Sequence, residues 1–194
     1  MTFKELNSYV KSDLYRYHGT TGGFWKTYFS VPGFHYSCWL RITRFLKNKG
    51  RLFRIPYILS RLQLRRLQYR YGISIPYNTE LGKGLYIGHY GGIVVNSNAR
   101  IGCNCNLNQG VTIGATYGGK FPGTPVIGDN VYIGPGSFVI GGIVLGNNVA
   151  VGANTVVNKP IPDNGVVVSP PGEVISDKGS GNYVVNTDYK DLNL

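Results

Sequence analysis

An aliphatic residue returns at Ile75, Leu81, Ile87, Ile93, Ile101, Leu107, Ile113, Ile127, Ile133, Val139, Leu145, Val151 and Val157, and ten of these twelve steps are six residues long. The next position is usually glycine: Gly82, Gly88, Gly102, Gly114, Gly128, Gly134, Gly146 and Gly152. A period of six is too short for helical solenoid repeats of about 20 to 50 residues and marks a parallel β-helix. Three hexapeptides make one triangular coil. Each flat strand turns its aliphatic residue inward, and a small neighbour lets the chain round the corner. The inward residues stack into a narrow apolar column, and no coil is stable alone. A collagen-like segment would carry glycine with a period of three; here the period is six, with the aliphatic partners in phase.

The beat predicts three regions. Residues 1–70 lack it and read as a small helical N-terminal domain, with breaks at Gly19–Gly23, at Pro32-Gly33 and at Pro56. Residues 71–165 read as the β-helix, and residues 166–194 as an extended tail, because Pro160 and Pro162 are expected to end sheet pairing. The beat is interrupted twice, by an eight-residue step from Ile93 to Ile101 and a fourteen-residue step from Ile113 to Ile127. Insertions in a solenoid map to loops on one face and often build the binding surface. The longer one predicts a protruding loop, 115–125, whose glycines and prolines can bend closely round a ligand.

Composition narrows this picture. The 194 residues, 42% of them hydrophobic, suffice for one or two cored domains. No run of 18 apolar residues and no secretory apolar core is present, which predicts a soluble, cytoplasmic protein. Cys38, Cys103 and Cys105 have no metal-ligand or redox spacing; Cys103 and Cys105 are expected to share one coil wall as small hydrophobes. The net charge of +11 is concentrated: between Arg41 and Arg70 stand ten Lys or Arg and no Asp or Glu, mixed with aliphatic and aromatic residues. Three readings fit this stretch. It is a helix that covers the end of the β-helix with a solvated basic face, or it touches an anionic membrane surface from the inside of the cell, or it meets nucleic acid. No nucleic-acid motif accompanies the charge, which sets the third aside.

Chemistry has few places to sit. Of His18, His35 and His89, only His89 lies in the repeat, after a turn glycine and before Tyr90-Gly91-Gly92, so it is expected at a coil corner. A neutral imidazole there can take a proton from a hydroxyl near physiological pH. Zinc catalysis in a β-helix needs about three converging imidazoles, so no metal is expected. No nucleophile elbow or activated cysteine context is present, which leaves direct transfer with one base.

Three runs carry a resemblance: Ile87-Gly88-His89-Tyr90-Gly91-Gly92-Ile93-Val94-Val95, Asn108-Gln109-Gly110-Val111-Thr112-Ile113-Gly114 and Val151-Gly152-Ala153-Asn154-Thr155-Val156-Val157. The chain resembles the hexapeptide-repeat acyltransferases, in particular the serine acetyltransferase branch with its related sugar and polysaccharide O-acetyltransferases. The likeness is strong over about 72–165 and weak over 9–46. It implies a left-handed β-helix, a homotrimer with active sites between neighbouring subunits, acetyl-CoA as co-substrate and His89 as general base. Backbone donors would stabilise the carbonyl oxygen. Gly114, Ala115, Gly134 and Ala153 would admit the pantetheine arm, and Lys120 and Lys159 would meet the phosphates.

The chain departs from serine acetyltransferases where they hold the amino acid. They carry Asp immediately before the catalytic histidine, where this chain has Gly88, and a second Asp fifteen residues before it, where this chain has Ser74. They carry a further histidine near the position of Thr124; Asp13 is the surviving acid. Ser74 and Glu80 are the candidates to orient the imidazole. Tyr86, Tyr90, Tyr117 and Phe121, with Asp13 and Thr124, offer an acceptor surface of aromatic and polar groups. These departures predict a sugar or surface-polysaccharide precursor as the acceptor. The alternatives are serine O-acetylation in cysteine biosynthesis, and a non-catalytic β-helix scaffold or membrane-surface binding module.

Overall fold

The computed structural model describes residues 1–21, 23–47, 49–173 and Ser176; the remainder of the expected tail lies outside the described residues. Parallel strands form three flat sheets. The first holds β1 (Ile73–Ser74), β4 (Ile93–Val95), β7 (Thr112–Gly114), β10 (Phe138–Ile140) and β13 (Val156–Val157). The second holds β2 (Glu80–Leu81), β5 (Arg100–Ile101), β8 (Val126–Ile127) and β11 (Val144–Leu145). The third holds β3 (Tyr86–Ile87), β6 (Asn106–Leu107), β9 (Tyr132–Ile133), β12 (Ala150–Val151) and β14 (Val166–Val167). The chain visits the sheets in that order, coil after coil, as a left-handed β-helix.

All thirteen residues of the beat are 4% exposed or less. A second inward column stands two residues earlier in each hexapeptide, at Leu85, Ala99, Cys105, Val111, Val131, Ile143 and Val149, because alternate residues share a strand face. Cys105 belongs to it, and burial pushes its thiol up to about 12. Cys103 does not: it is half-buried at the corner, where its N–H donates to Asp129 at 2.6 Å. The two cysteines therefore do not share the wall.

The register moves the first interruption. Val95, not Ile93, stands level with Ile113, so the column steps from Ile87 to Val95 and then by six to Ile101. The eight-residue step lies in the corner before β4, the corner that carries His89. Gly88 N–H donates to the Leu107 carbonyl and Gly110 N–H to the Gly91 carbonyl, which sets Gly88 level with Asn108 and Gly91 level with Gln109. The two extra residues are His89 and Tyr90.

Sheet pairing also runs past the two prolines. Ile161 bridges to Leu145 and β14 pairs with β12. Pro160 and Pro162 flank Ile161, whose own N–H donates to Val144 and whose carbonyl accepts from Gly146; alternate residues carry the ladder, so the missing proline donors are not needed there.

The helical region precedes the coils as α1 (Phe3–His18), α2 (Phe24–Ser30), α3 (Pro32–Leu46), a 3₁₀ turn over Arg51–Phe53 and α4 (Arg54–Tyr71). Pro56 does not break a helix; it stands in the first turn of α4, where backbone donors have no intrahelical acceptor. Leu64 and Leu67 of α4, with Tyr36 and Leu40 of α3, join the apolar column at Ile73 and Ile75 and cover its first coil. At Gly33 of α3 a Cβ would fall within 2.7 Å of the Ile87 side chain, so only glycine lets the helix lie this close to β3.

Candidate active site

The His89 corner joins the third sheet to the first. The imidazole is exposed and makes no hydrogen bond to a described residue. Its neighbour Tyr90 packs edge-on against Tyr71 at 5.7 Å, and the Tyr71 hydroxyl lies 3.1 Å from His35 Nδ1. Tyr28 covers His35 at 4.3 Å between ring centroids and accepts from Trp39 Nε1 at 2.9 Å. Burial, then the Arg70 charge, lowers the His35 pKa from its ordinary value. Motif reading does not reach Tyr71, His35 and Tyr28. Their signal is only the unusual density of aromatic residues, since the contacts span 36 residues between α3 and the end of α4.

Neither orienting candidate meets the imidazole. Glu80 lies on the second sheet, in an exposed ion pair with Arg100 at 3.3 Å. Ser74 faces outward from the first sheet, level with Val94, and has no bond to His89. Asp13 is likewise not available to a substrate. It is fully buried; Arg41 donates Nε to its Oδ2 at 3.0 Å and Nη2 to its Oδ1 at 3.2 Å, and Leu85 N–H donates to Oδ1 at 2.8 Å. Arg41 also donates to the carbonyls of Leu81 and Gly82. Burial raises the Asp13 carboxyl, and Arg41 opposes it. The pair fastens α1 and α3 to the first coil.

The aromatic candidates divide. Tyr86 packs on Tyr17 of α1 at 4.6 Å, beside Gly88, and Tyr90 is half exposed beside His89. Tyr117 and Phe121 stand at the far edge of the first sheet, in the loop at 115–125. That loop closes on itself by paired bonds between Thr116 and Gly123, and Phe121 O accepts from Thr116 Oγ1 and from Gly142 N–H. Tyr117 is 97% exposed, whereas Phe121 packs on the core. Thr124 Oγ1 donates to the Asn98 carbonyl at 3.2 Å and anchors the loop base.

The candidate cofactor residues divide the same way. A groove of about 440 Å³ lies between the loop and the coils, lined by Thr116, Gly118, Lys120, Phe121, Ile140 and Lys159 among others. Gly114 and Ala115 lead into it; a Cβ at Gly114 would meet Ile140 at an ordinary 3.5 Å, so that glycine leaves room without being forced. Its two lysines, paired with open backbone, fit a phosphate-bearing ligand. Gly134 and Ala153 lie on the opposite edge, in the corner column above His89. Gly134 is required by stacking, because a Cβ would come within 2.8 Å of the Gly152 and Ala153 backbone. One subunit therefore holds these six residues as two separate groups. The two groups are separated by a sheet width of about six residues, on the order of 20 Å at ~3.3 Å each. Between them the first sheet exposes Val94, Phe138 and Val156.

Among the described residues no group of three or more His, Cys, Asp or Glu could hold a metal, and no helix is long and apolar enough to cross a membrane.

The fold is a left-handed β-helix of hexapeptides, and the comparisons agree with that class: residues 124–159 match the family described as bacterial transferase hexapeptide (six repeats), so the chain carries the repeat of the hexapeptide transferases. Its relatives are more particular. The serine acetyltransferase of Staphylococcus xylosus is 38% identical over 123 residues, 63% of this chain and 57% of the relative. That of Synechococcus elongatus is 39% identical over 150 residues, 76% of this chain and 59% of the relative. Among solved structures, serine acetyltransferase isoform 3 of Entamoeba histolytica in complex with cysteine superposes with a TM-score of 0.71 at 29% identity, over 90% of this chain and 63% of that one. The Neisseria gonorrhoeae enzyme in complex with serine gives 0.70 at 28%, over 88% and 69%. The chain spans under two thirds of the length of these sequence relatives. The expectation of a saccharide acceptor is overturned, since relatives and structural neighbours alike are serine acetyltransferases.

Proposed function

We propose that the protein is an acetyl-CoA-dependent serine O-acetyltransferase with His89 as general base. The observation that carries this is the register: His89 and Tyr90 are the two residues added to an otherwise repeating corner, which lifts the imidazole off the coil wall into solvent. Acetyl-CoA, when bound, supplies the acyl carbon as an activated thioester. His89 takes the proton from the serine hydroxyl as its oxygen bonds to that carbon, and returns the proton to the departing thiolate sulfur. Lys120 and Lys159 hold phosphate, and Gly114 and Ala115 leave space for the arm.

The full site is an intersubunit one in this reading. The His89 edge of one subunit, with Gly134 and Ala153 above it, faces the loop edge of the next. The exposed valines and Phe138 of the first sheet support packing of three such subunits. Gly88 and Ser74 leave the imidazole without the carboxylates of the resembled enzymes, so its ring is oriented by the glycine-flanked bulge and by Tyr90 held on Tyr71. Both substrates are cytoplasmic metabolites, and we assign the protein to that compartment.

The test is consumption of acetyl-CoA with free L-serine, read as thiol release and as O-acetylserine by mass spectrometry. Serine-dependent turnover is expected; thioester consumption that ignores serine would overturn the reading.

A further inference from the structure

On a helix each residue advances about 100°, and on α4 that spacing separates two apolar stripes. Leu64 and Leu67 form one, buried on α3 and the first coil with Ser60 on the same face. Ile55, Ile58, Leu59, Leu62 and Tyr69 form the other on the opposite side, exposed by 46–76%. The 3₁₀ turn before α4 adds Leu52, 93% exposed. Arginines border the outer stripe on both sides, Arg54, Arg61 and Arg65 on one flank and Arg70 on the other, and Arg66 stands within it, between Ile55 and Leu59. Beside it lies a groove of about 430 Å³ between α4 and the first coil, lined by Arg61, Arg65, Leu62, Leu64, Pro76 and Tyr77 among others.

We infer that this outer face docks on an anionic lipid surface. A covering helix needs only one apolar stripe; the second is left for another surface. Its occupant is set by charge: no Asp or Glu stands between Arg41 and Arg70. A second copy of the same face would set arginine against arginine, which opposes association. Apolar side chains ringed by arginine on a surface helix match an interface of acyl chains beneath negative headgroups. The groove, with two guanidinium groups among its lining, suits a headgroup phosphate. None of these residues belongs to the proposed acyl-transfer machinery, so docking stands or falls independently of it.

The experiment is co-sedimentation of the full chain with vesicles of phosphatidylcholine alone or mixed with phosphatidylglycerol, at low and high salt. Binding is expected only to the anionic vesicles, weakened by salt as screening shortens. Arg65→Gln with Arg66→Gln should lower the partition coefficient about fivefold per charge. Leu59→Glu with Leu62→Glu should abolish binding, with the circular dichroism spectrum and acetyl transfer unchanged. No binding to any vesicle, equal binding to neutral vesicles, or binding that survives both double variants would overturn the inference. So would lipid-free self-association that Leu59→Glu with Leu62→Glu abolishes, because a second copy would then be the occupant.

Discussion

Two corners of the same triangle follow different rules. Between the second and third sheets, Asn104, Asn130, Asn148 and Asn164 each take a left-handed backbone conformation, φ 57–61°, and their side chains bond one to the next at 2.9, 3.1 and 3.2 Å. That corner repeats coil after coil and spends its polar groups on itself. The corner between the third and first sheets repeats from Asn108 onward, but in the first coil it holds two residues more, and those are His89 and Tyr90. A solenoid that satisfies its own polar groups offers nothing to a substrate. In the proposed function, chemistry sits where the repeat is broken, and Tyr71 at the end of α4 packs on Tyr90 beside the break.

The sharpest way to break this contrast is to remove the imidazole. His89→Ala should reduce acetyl transfer by about two to four orders of magnitude while leaving the urea midpoint unchanged, because the ring has no partner among the described residues. An equal loss from an asparagine of the opposite corner would erase the distinction. The next effect is on the fastening of α1 and α3 to the first coil, at the corner between β2 and β3 where Arg41 meets Leu81 and Gly82 and Asp13 meets Leu85: Asp13→Ala leaves Arg41 buried without its carboxylate and should cost about 3–5 kcal/mol in urea denaturation. A value near zero would mean that α1 and α3 are not fixed to the first coil through this pair.

The asparagine ladder of the later coils should respond more weakly. Asn130→Ala loses two ladder bonds and forces alanine into a left-handed conformation, at a cost of about 1–2 kcal/mol. Asn130→Gly should cost less, because glycine adopts that backbone freely. Neither should change acetyl transfer, measured on folded protein.

How far the molecule was legible follows from the same contrast. The fold was readable because each coil repeats its instruction locally, and Ile75 through Val157 are buried as their spacing predicts. The slip in the beat, taking Ile93 for Val95, arises because both residues of β4 face inward and only pairing with the next coil tells them apart. That slip hid the location of the insertion. The helical region was readable as helices but not as contacts: Asp13 and Arg41 are 28 residues apart, and no local pattern distinguishes a buried acid from one that meets a substrate. Glu80 was nearest to His89 among carboxylates along the chain, yet its strand belongs to another sheet. The two groups of cofactor candidates share one motif type but lie on opposite edges, a separation that only the three-sided winding reveals.

The smallest expected effect is on pH. His35 sits behind Tyr71 and Tyr90 with its pKa lowered, by burial first and Arg70 second. The unfolded chain therefore takes up a proton before the folded one as pH falls. The stability this histidine contributes is fully present above the ordinary imidazole value of 6.5 and is lost as pH falls from there through the folded value. The facing groups are Tyr28, Tyr71 and Arg70, and none is an acid that would reverse the sign. Urea midpoints measured from about pH 8 to about pH 5 should fall for the wild type and flatten in His35→Gln. Asn130→Gly should leave that pH slope intact, because the side-chain partners of Asn130 among the described residues are Asn104 and Asn148, neither of which titrates. If His35→Gln left the slope unchanged, the packing behind Tyr90 would not be what protonation disturbs, and the two corners would differ in sequence without differing in their response to acid.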